Sequence, residues 1–283
     1  MNALRNALAL IISTLAALAI AGCSNYIKEN EDQPNPRSRI VLTGSSTMAP
    51  LMSAIAKRFQ SSHPGVEIDV TTGGSGRGVS DARSGLADIG MASRTLRKDE
   101  EDLLGFPVAR DGICLLVHKA NPIPALSKGQ VAAIFAGKTT NWKEVGGRDT
   151  PIAVVNRELG RSEIELFTHY FGINYGDIKE RFRAGDNVLC IRAVADNPDA
   201  ITYVSVGEAE RDAHKGMTIK LLPMEGAAAT SENVRNGNYP LARPLTLITK
   251  ELPTGHVKAF LEFSLSSQVT DLVKEHSFVP YVD

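Results

Sequence analysis

The sequence predicts an α/β protein of two lobes, each a mainly parallel sheet flanked by helices, and three features of its pattern carry that reading. From residue 39 onward, short apolar strands alternate with amphipathic helical stretches, the rhythm of βαβ units. The rhythm restarts after Asn121-Pro122-Ile123-Pro124. Two segments, 112–118 and 244–249, are apolar throughout and lie where the rhythm changes, so they read as the crossings between lobes. A chain of 283 residues suits one or two domains and can bury a core without metals or staples.

The elements follow in order. Strand 39–43 runs into Gly44-Ser45-Ser46-Thr47 and then a helix over 47–61, which His63-Pro64-Gly65 closes. Strand 66–72 (VEIDVTT) leads through GGSGRG to a helix near 77–84, and strand 88–92 (DIGMA) precedes the long apolar strand 112–118. The second lobe holds a helix near 127–136, the loop GKTTNWKEVGGRDT, strand 152–156, helix 162–171 and strands 200–205 and 218–222. After a loop-rich stretch, strand 244–249 returns, and two helical segments close the chain, 256–264 being the clearer. The first lobe is assigned to 39–117 plus 243–283, and the second, an insertion, to 118–242.

Ahead of this region, Arg5 is followed by an unbroken run of apolar and small residues from Ala7 to Ala21. That run falls short of the ~20 residues a spanning helix needs and suits the apolar part of a secretory signal. It ends in Ile20-Ala21-Gly22-Cys23, which resembles the box of bacterial lipoproteins. That resemblance implies that 1–22 is a signal peptide and that Cys23 is acylated. A polar, proline-bearing stretch, 23–38, would tether the domain to a membrane on the periplasmic or cell-surface side. A plain signal peptide with a chance cysteine is the other reading. Export permits a disulfide, but Cys114 lies inside GICLLVH, and Cys114 and Cys190 read as two buried free thiols.

Composition excludes several classes. The 31 basic and 32 acidic residues leave a net charge of −1, so no global field draws the chain to nucleic acid. Any anion must be held by local donors. The six histidines show no metal-ligand spacing and no CxxC occurs, so neither metal nor cofactor is expected.

Four strand-to-helix junctions are rich in glycine, small hydroxyls and arginine: 44–47, 73–78 (GGSGRG), 92–95 (ASRT) and 156–163 (NRELGRSE). A helix start carries unpaired N–H groups and a partial positive charge, and glycine lets backbone approach a ligand, so each junction can hold an anion. Ordinary N-capping explains any single one. Four together, on strand ends that an open α/β sheet gathers along one edge, point to an oxyanion in a cleft. Other motifs fail. Gly137-Lys138-Thr139 has Ala132 where a P-loop needs its leading glycine, and Val79 stands where a dinucleotide fingerprint needs its third. No nucleophile elbow or Ser–His–Asp set can be nominated.

GSSTMAPL, GGSGRG, LADIGMASR, ARDGICLLVHKANP, IFAGKTTNW and VVNRE together resemble the phosphate-binding proteins of bacterial phosphate ABC transporters, in order over roughly 39 to 280. The resemblance implies the type II periplasmic-binding-protein fold, two lobes closing on phosphate, no catalysis, an ABC permease as partner and a monomeric state. Carried over by motif, the phosphate ligands would be Ser45, Ser46 and Thr47, Ser75 and Gly76, Ser93 and Arg94, and Arg157, joined by Arg161 and Ser162. Arg157 would bring the planar fork that suits a tetrahedral oxyanion. Asp111, in ARDG, reads as structural.

Two departures stand out. The family continues from that arginine to Gly-Ser-Gly-Thr, whereas this chain has Gly160-Arg161-Ser162-Glu163. Ser162 and Glu165 fit a capping box there. Arg161 either replaces a lost hydroxyl with a charged donor or points to water. Position 94 is aspartate in some members, accepting the proton of hydrogen phosphate, and arginine in others, as here. A site of donors alone cannot reject sulfate, and Glu163 is the candidate substitute acceptor. The reading is therefore a solute-binding lipoprotein for phosphate. The alternatives are another oxyanion (sulfate, molybdate or tungstate), a phosphate sensor, or a phosphatase using Ser46 or Ser75, which lacks a nominated base.

Overall fold

The structure is a computed structural model that describes residues 38–281; Cys23, the signal segment and the tether up to residue 37 lie outside the described residues. In the first lobe β1 (Ser38–Gly44), α1 (Ala49–Ser62), β2 (Val66–Thr72), α2 (Ser75–Ser84) and β3 (Ile89–Ala92) follow one another, and β4 (Leu104–His118) leaves it. The second holds α3 (Lys128–Phe135), β5 (Ala153–Arg157), α4 (Ser162–Phe171), β6 (Phe182–Ala184), α5 (Asn187–Ala195), β7 (Ala200–Ser205), α6 (Val206–His214), β8 (Ile219–Leu222) and α7 (Ser231–Arg235). β9 (Ala242–Thr249), α8 (Gly255–Ser264), α9 (Thr270–Glu275) and β10 (Val279–Pro280) return to the first.

β1 lies parallel between β2 and β3, and β5 parallel between β6 and β7, as consecutive βα units dictate. The antiparallel pairs among the named strands all involve β4 or β9. Residues 104–112 of β4 pair with β9, and 113–118 pair with β7 and β8, so the strand changes partners between Gly112 and Ile113. β4 begins eight residues before the start that its apolar run announces. Gly105 and Pro107 depress strand propensity there, and the ladder absorbs Pro107 at a register shift before Ala109.

Two large apolar cores result, with a smaller cluster of Val79, Ala82, Ala92, Leu103 and Ile248. One gathers Leu42, Met52, Ile55, Phe59, Leu247 and Phe260; the other gathers Leu116, Phe135, Phe167 and Tyr203. α1 forms because Leu51, Met52, Ile55 and Phe59 recur at helical spacing and bury one face, with Pro50 in the first turn where its missing N–H costs nothing. α2 presses onto the ends of β1 and β3 because residue 78 is glycine. A Cβ there would stand 2.6 Å from the Met91 carbonyl and 2.8 Å from that of Thr43.

The short β6 and α7 are absent from the sequence reading, and so are α5 and α6. The last two have nine residues each, and NVLCIRAVA is too evenly apolar to show a face. Their signals are caps: Asp186 accepts from Leu189 N at 2.8 Å, and Ser205 from Glu208 N at 3.3 Å. Cys114 and Cys190 are free and buried. Among the described residues no helix is long and apolar enough to cross a membrane.

Candidate functional site

The starts of α1, α2 and α4 meet between the lobes. Gly76 N donates to the Gly160 carbonyl at 3.2 Å, Arg161 Nη1 to Ser46 Oγ at 3.4 Å, and Thr47 Oγ1 to Glu163 Oε1 at 3.1 Å. α3, α5, α6 and α7 begin with side-chain caps from Ser127, Asp186, Ser205 and Thr230. α1, α2 and α4 have no side-chain cap, as α8 and α9 have none, and the first three turn their positive ends toward the cleft, where the Gly76 N–H of α2 already meets the Gly160 carbonyl.

Three buried serines bind the loops of the first lobe into one wall. Ser45 Oγ and Ser93 Oγ share a short hydrogen bond, Ser75 Oγ accepts from Ser93 N at 3.1 Å, and Ser45 Oγ accepts from Met48 N at 3.3 Å.

The groups that face this wall are charged and come from both lobes. Arg157, fully buried at the end of β5, donates through Nη1 to Asn187 Oδ1 at 2.8 Å and reaches Cys190 Sγ at 3.4 Å. Its Nη2 lies 3.4 Å from Glu163 Oε2 without a hydrogen bond, and its Nε has none either. Arg243, at the start of β9, donates through Nη1 to Ser162 Oγ at 3.1 Å and through Nη2 to Asp111 Oδ2 at 2.9 Å and Glu163 Oε1 at 3.1 Å. The other oxygen of Asp111 accepts from Gly207 N at 3.1 Å, so Asp111 anchors Arg243, the structural role its motif suggests.

Two buried carboxyls are driven apart. Burial pushes the Glu163 carboxyl up, but the charges of Arg157 and Arg243 outweigh it and hold the group at about 2. Burial pushes the Glu208 carboxyl up to about 8, the Asn187 hydrogen bond opposing and Asp111 assisting. A chain of contacts joins the two. Asn187 Nδ2 donates to Glu208 Oε1 at 2.6 Å and to Thr47 Oγ1 at 2.9 Å, and Thr47 donates to Glu163.

Ser45, Ser46, Thr47, Ser75, Gly76, Ser93, Arg157, Arg161 and Ser162 are thus brought together. Arg94 is not: its guanidinium is held in a bidentate pair with Glu100 at 2.6 and 2.8 Å, and its Nε lies 3.3 Å from Glu165. Burial raises the Glu100 carboxyl, but Arg94 and the Arg97 N–H hold it at about 2, so this pair competes with any use of the Arg94 side chain. The expected capping box at Ser162 is also corrected. Arg161 is the N-cap residue, the Ser162 hydroxyl goes to Arg243, and Glu165 pairs with Arg97 at 2.6 Å. Charged donors outbid the helix N–H groups.

Arg243, Asn187 and Glu208 are the functional side chains that sequence reasoning missed. Arg243 stands alone among apolar neighbours in ARPLTLIT, a contrast that marks it. Asn187 and Glu208 follow the caps that mark α5 and α6. A cavity of about 340 Å³ opens beside the network, lined in part by Ser93, Arg94, Ser162, His169 and Arg243. Among the described residues no cluster of His, Cys, Asp and Glu could hold a metal ion.

Residues 30–268 match the PBP superfamily domain. The chain is 29% identical to the phosphate-binding protein PstS of Bacillus subtilis, over 99% of this chain and 95% of that one. A Clostridium perfringens protein, assigned to the substrate-binding proteins of phosphate ABC transporters and solved with bound phosphate, superposes with a TM-score of 0.79 at 33% identity, covering 86% of this chain and 99% of its own. An ABC-type phosphate transport receptor of Vibrio cholerae gives 0.68 at 29%, covering 86% and 99%.

Proposed function

The chain belongs to the PBP superfamily, and on that premise we propose that it is an extracytoplasmic solute-binding protein that captures phosphate between its lobes and delivers it to an ABC permease. One observation carries the reading. Arg157 is fully buried, yet the donors on its Nε and Nη2 have no hydrogen-bond partner, and three uncapped helix starts converge on the same cleft. Buried guanidinium donors are costly to leave unmade, and a tetrahedral oxyanion answers them with oxygens in fork geometry. The ligands proposed are Ser46, Thr47, Gly76, Arg157 and Arg161, with Ser45, Ser75, Ser93 and Ser162 shaping the wall and residue 94 acting through its backbone.

The relatives named above are binding proteins, and the reading includes no catalysis. Of the two serines weighed as nucleophiles, Ser75 Oγ accepts from Ser93 N and Ser46 Oγ from Arg161 Nη1, and among the described residues no histidine hydrogen-bonds to either. The chain is proposed to act as a monomer held to a membrane through Cys23. Its first lobe is 39–117 plus 243–283 and its second 118–242; the change of β4 partners after Gly112 supports drawing the first boundary a few residues earlier.

Titration calorimetry on the purified protein, freed of bound anion by partial unfolding and dialysis, tests the assignment. Phosphate is expected to bind with Kd of about 1 μM or tighter. Heat from molybdate or sulfate but none from phosphate would instead support the second reading, another oxyanion, which rests on the departure of Gly160-Arg161-Ser162-Glu163 from the family's turn.

A further inference from the structure

Glu163 is an anion built into an anion site. Its carboxylate touches Thr47, Arg157 and Arg243, two of them among the proposed ligands. It is 3% exposed and reached from both lobes. The charges around it are already balanced. Two guanidinium groups, Arg157 and Arg243, face two carboxylates, Glu163 and Asp111.

The groups on the other packed elements do not upset that balance at neutral pH. Glu208 on α6 is a neutral carboxyl, because burial raises it, and the Cys190 thiol on α5 and the Tyr203 phenol on β7 are raised by burial as well. At the rim, Arg161 lies 3.8 Å from Glu158, and Arg94 is committed to Glu100 and Glu165. Beside the paired Arg157 and Arg243 a dianion would meet Arg161, whose partner Glu158 stands 3.8 Å off and is more than half exposed, so its second charge would be opposed only by hydrogen-bond donors and helix ends, an expensive burial. A singly charged oxyanion brings half that load. If it carries a hydrogen, it can donate to Glu163 Oε2, which sits 3.4 Å from Arg157 Nη2, beside the donors that the anion itself would use.

We propose that Glu163 supplies part of the negative charge that the cleft would otherwise take from its ligand, so that the site selects a monoanionic, hydrogen-bearing oxyanion, such as dihydrogen phosphate, over any dianion. This rests on the phosphate reading and narrows it to one protonation state. The residue identity matters because threonine, which the resembling family carries at this position, would leave the two arginines one charge in excess.

The test uses the purified full-length chain, inorganic phosphate and sulfate, and calorimetry from pH 5.5 to 8.5. Phosphate affinity should fall about tenfold per pH unit on the alkaline side of its second ionisation and level off on the acid side, the slope of one linked proton. Sulfate, doubly charged throughout, should bind at least about a hundredfold more weakly, as expected when a site's polar groups go unmatched. In Glu163→Gln the pH slope should flatten and sulfate affinity should rise at least about tenfold. In Glu208→Gln the slope should persist, which assigns it to ligand and Glu163. Phosphate bound equally across the range by the wild-type protein overturns the inference and leaves the phosphate reading standing. So does a Glu163→Gln variant with an unchanged slope and sulfate ratio. No phosphate binding at any pH sinks the phosphate reading and this inference with it. The wild-type comparison needs no variant to fold.

Discussion

Thr47 and Glu163 lie 116 positions apart in the chain, yet their side chains meet across the cleft at 3.1 Å. Thr47 also accepts from Asn187 at 2.9 Å, so one hydroxyl ties the first lobe to two helices of the second. Replacing it by valine keeps the shape and removes both bonds. At about 1 kcal/mol for a hydrogen bond, Thr47→Val is expected to weaken anion binding about fivefold to tenfold. Its thermal midpoint should stay within a few degrees of the wild type. An unchanged affinity would mean that this contact plays no part in closure.

Arg157 should tolerate nothing. Lysine keeps the charge but loses the fork and the bond to Asn187, so Arg157→Lys is expected to lower affinity about a hundredfold. Arg157→Met removes the charge and leaves Glu163 with Arg243 alone. Breaking a buried pair from one side costs about 3–5 kcal/mol, which denaturant unfolding would read directly.

The two buried carboxyls give stability a pH optimum on the acid side. Glu163, at about 2 in the fold against 4.5 unfolded, stabilises above 4.5, and that contribution is lost as pH falls from 4.5 toward 2. Glu208, at about 8 against 4.5, holds its proton in the fold long after the unfolded chain has released it. It therefore costs stability as pH rises from 4.5 to 8, at most about 1.4 kcal/mol per unit. Glu208→Gln should flatten that alkaline decline in urea melts taken between pH 5 and 8. A parallel decline in wild type and variant would assign it elsewhere.

Glu165 reaches across the cleft mouth to Arg97 at 2.6 Å and Arg94 at 3.3 Å. Arg97 and Glu165 are nearly half exposed, so the latch contributes at most about 1 kcal/mol and is screened by salt. Stopped-flow release of phosphate should quicken less than about fivefold in Glu165→Gln. Added salt should produce much of the same acceleration in the wild type and little in the variant.

Gly74 tests closure by steric means. Its φ is +91°, and a Cβ would stand 2.7 Å from the Gly160 carbonyl, in the opposite lobe. Gly74→Ala is expected to fold, at a cost of about 1–2 kcal/mol for the backbone. It should hold the lobes apart, with affinity down more than about tenfold and a larger radius by solution scattering in the presence of phosphate.

What was legible in the chain was what neighbours decide. Helix 162–171 and strand 200–205 are found at their expected bounds, because a helical apolar period marks a one-sided helix and a short, continuously buried run marks a strand covered on both faces. The junction serines were legible as a set. Their destinations were not, since Ser45, Ser75 and Ser93 are spent on one another and Ser162 on Arg243, 81 residues away. Arg94 was carried over as a ligand from the motif LADIGMASR, at a position that varies in the resembling family; the glutamate that pairs with it lies six positions on, buried where no periodicity points. The identity of a charged group's partner depends on which elements the fold brings together, and that information is long-range.

Gly112 pairs with Ala242, and Ile113 N donates to the Leu241 carbonyl at 2.9 Å. All the chain between those residues departs from and rejoins the first lobe at one rung of a ladder. In topological terms the second lobe is a parenthesis set inside a β-hairpin, and closing it would require only a tight turn between two strands already in register. A lobe attached this way can be exchanged as a cassette, carrying Arg157 and Glu163 with it while the serine wall stays behind.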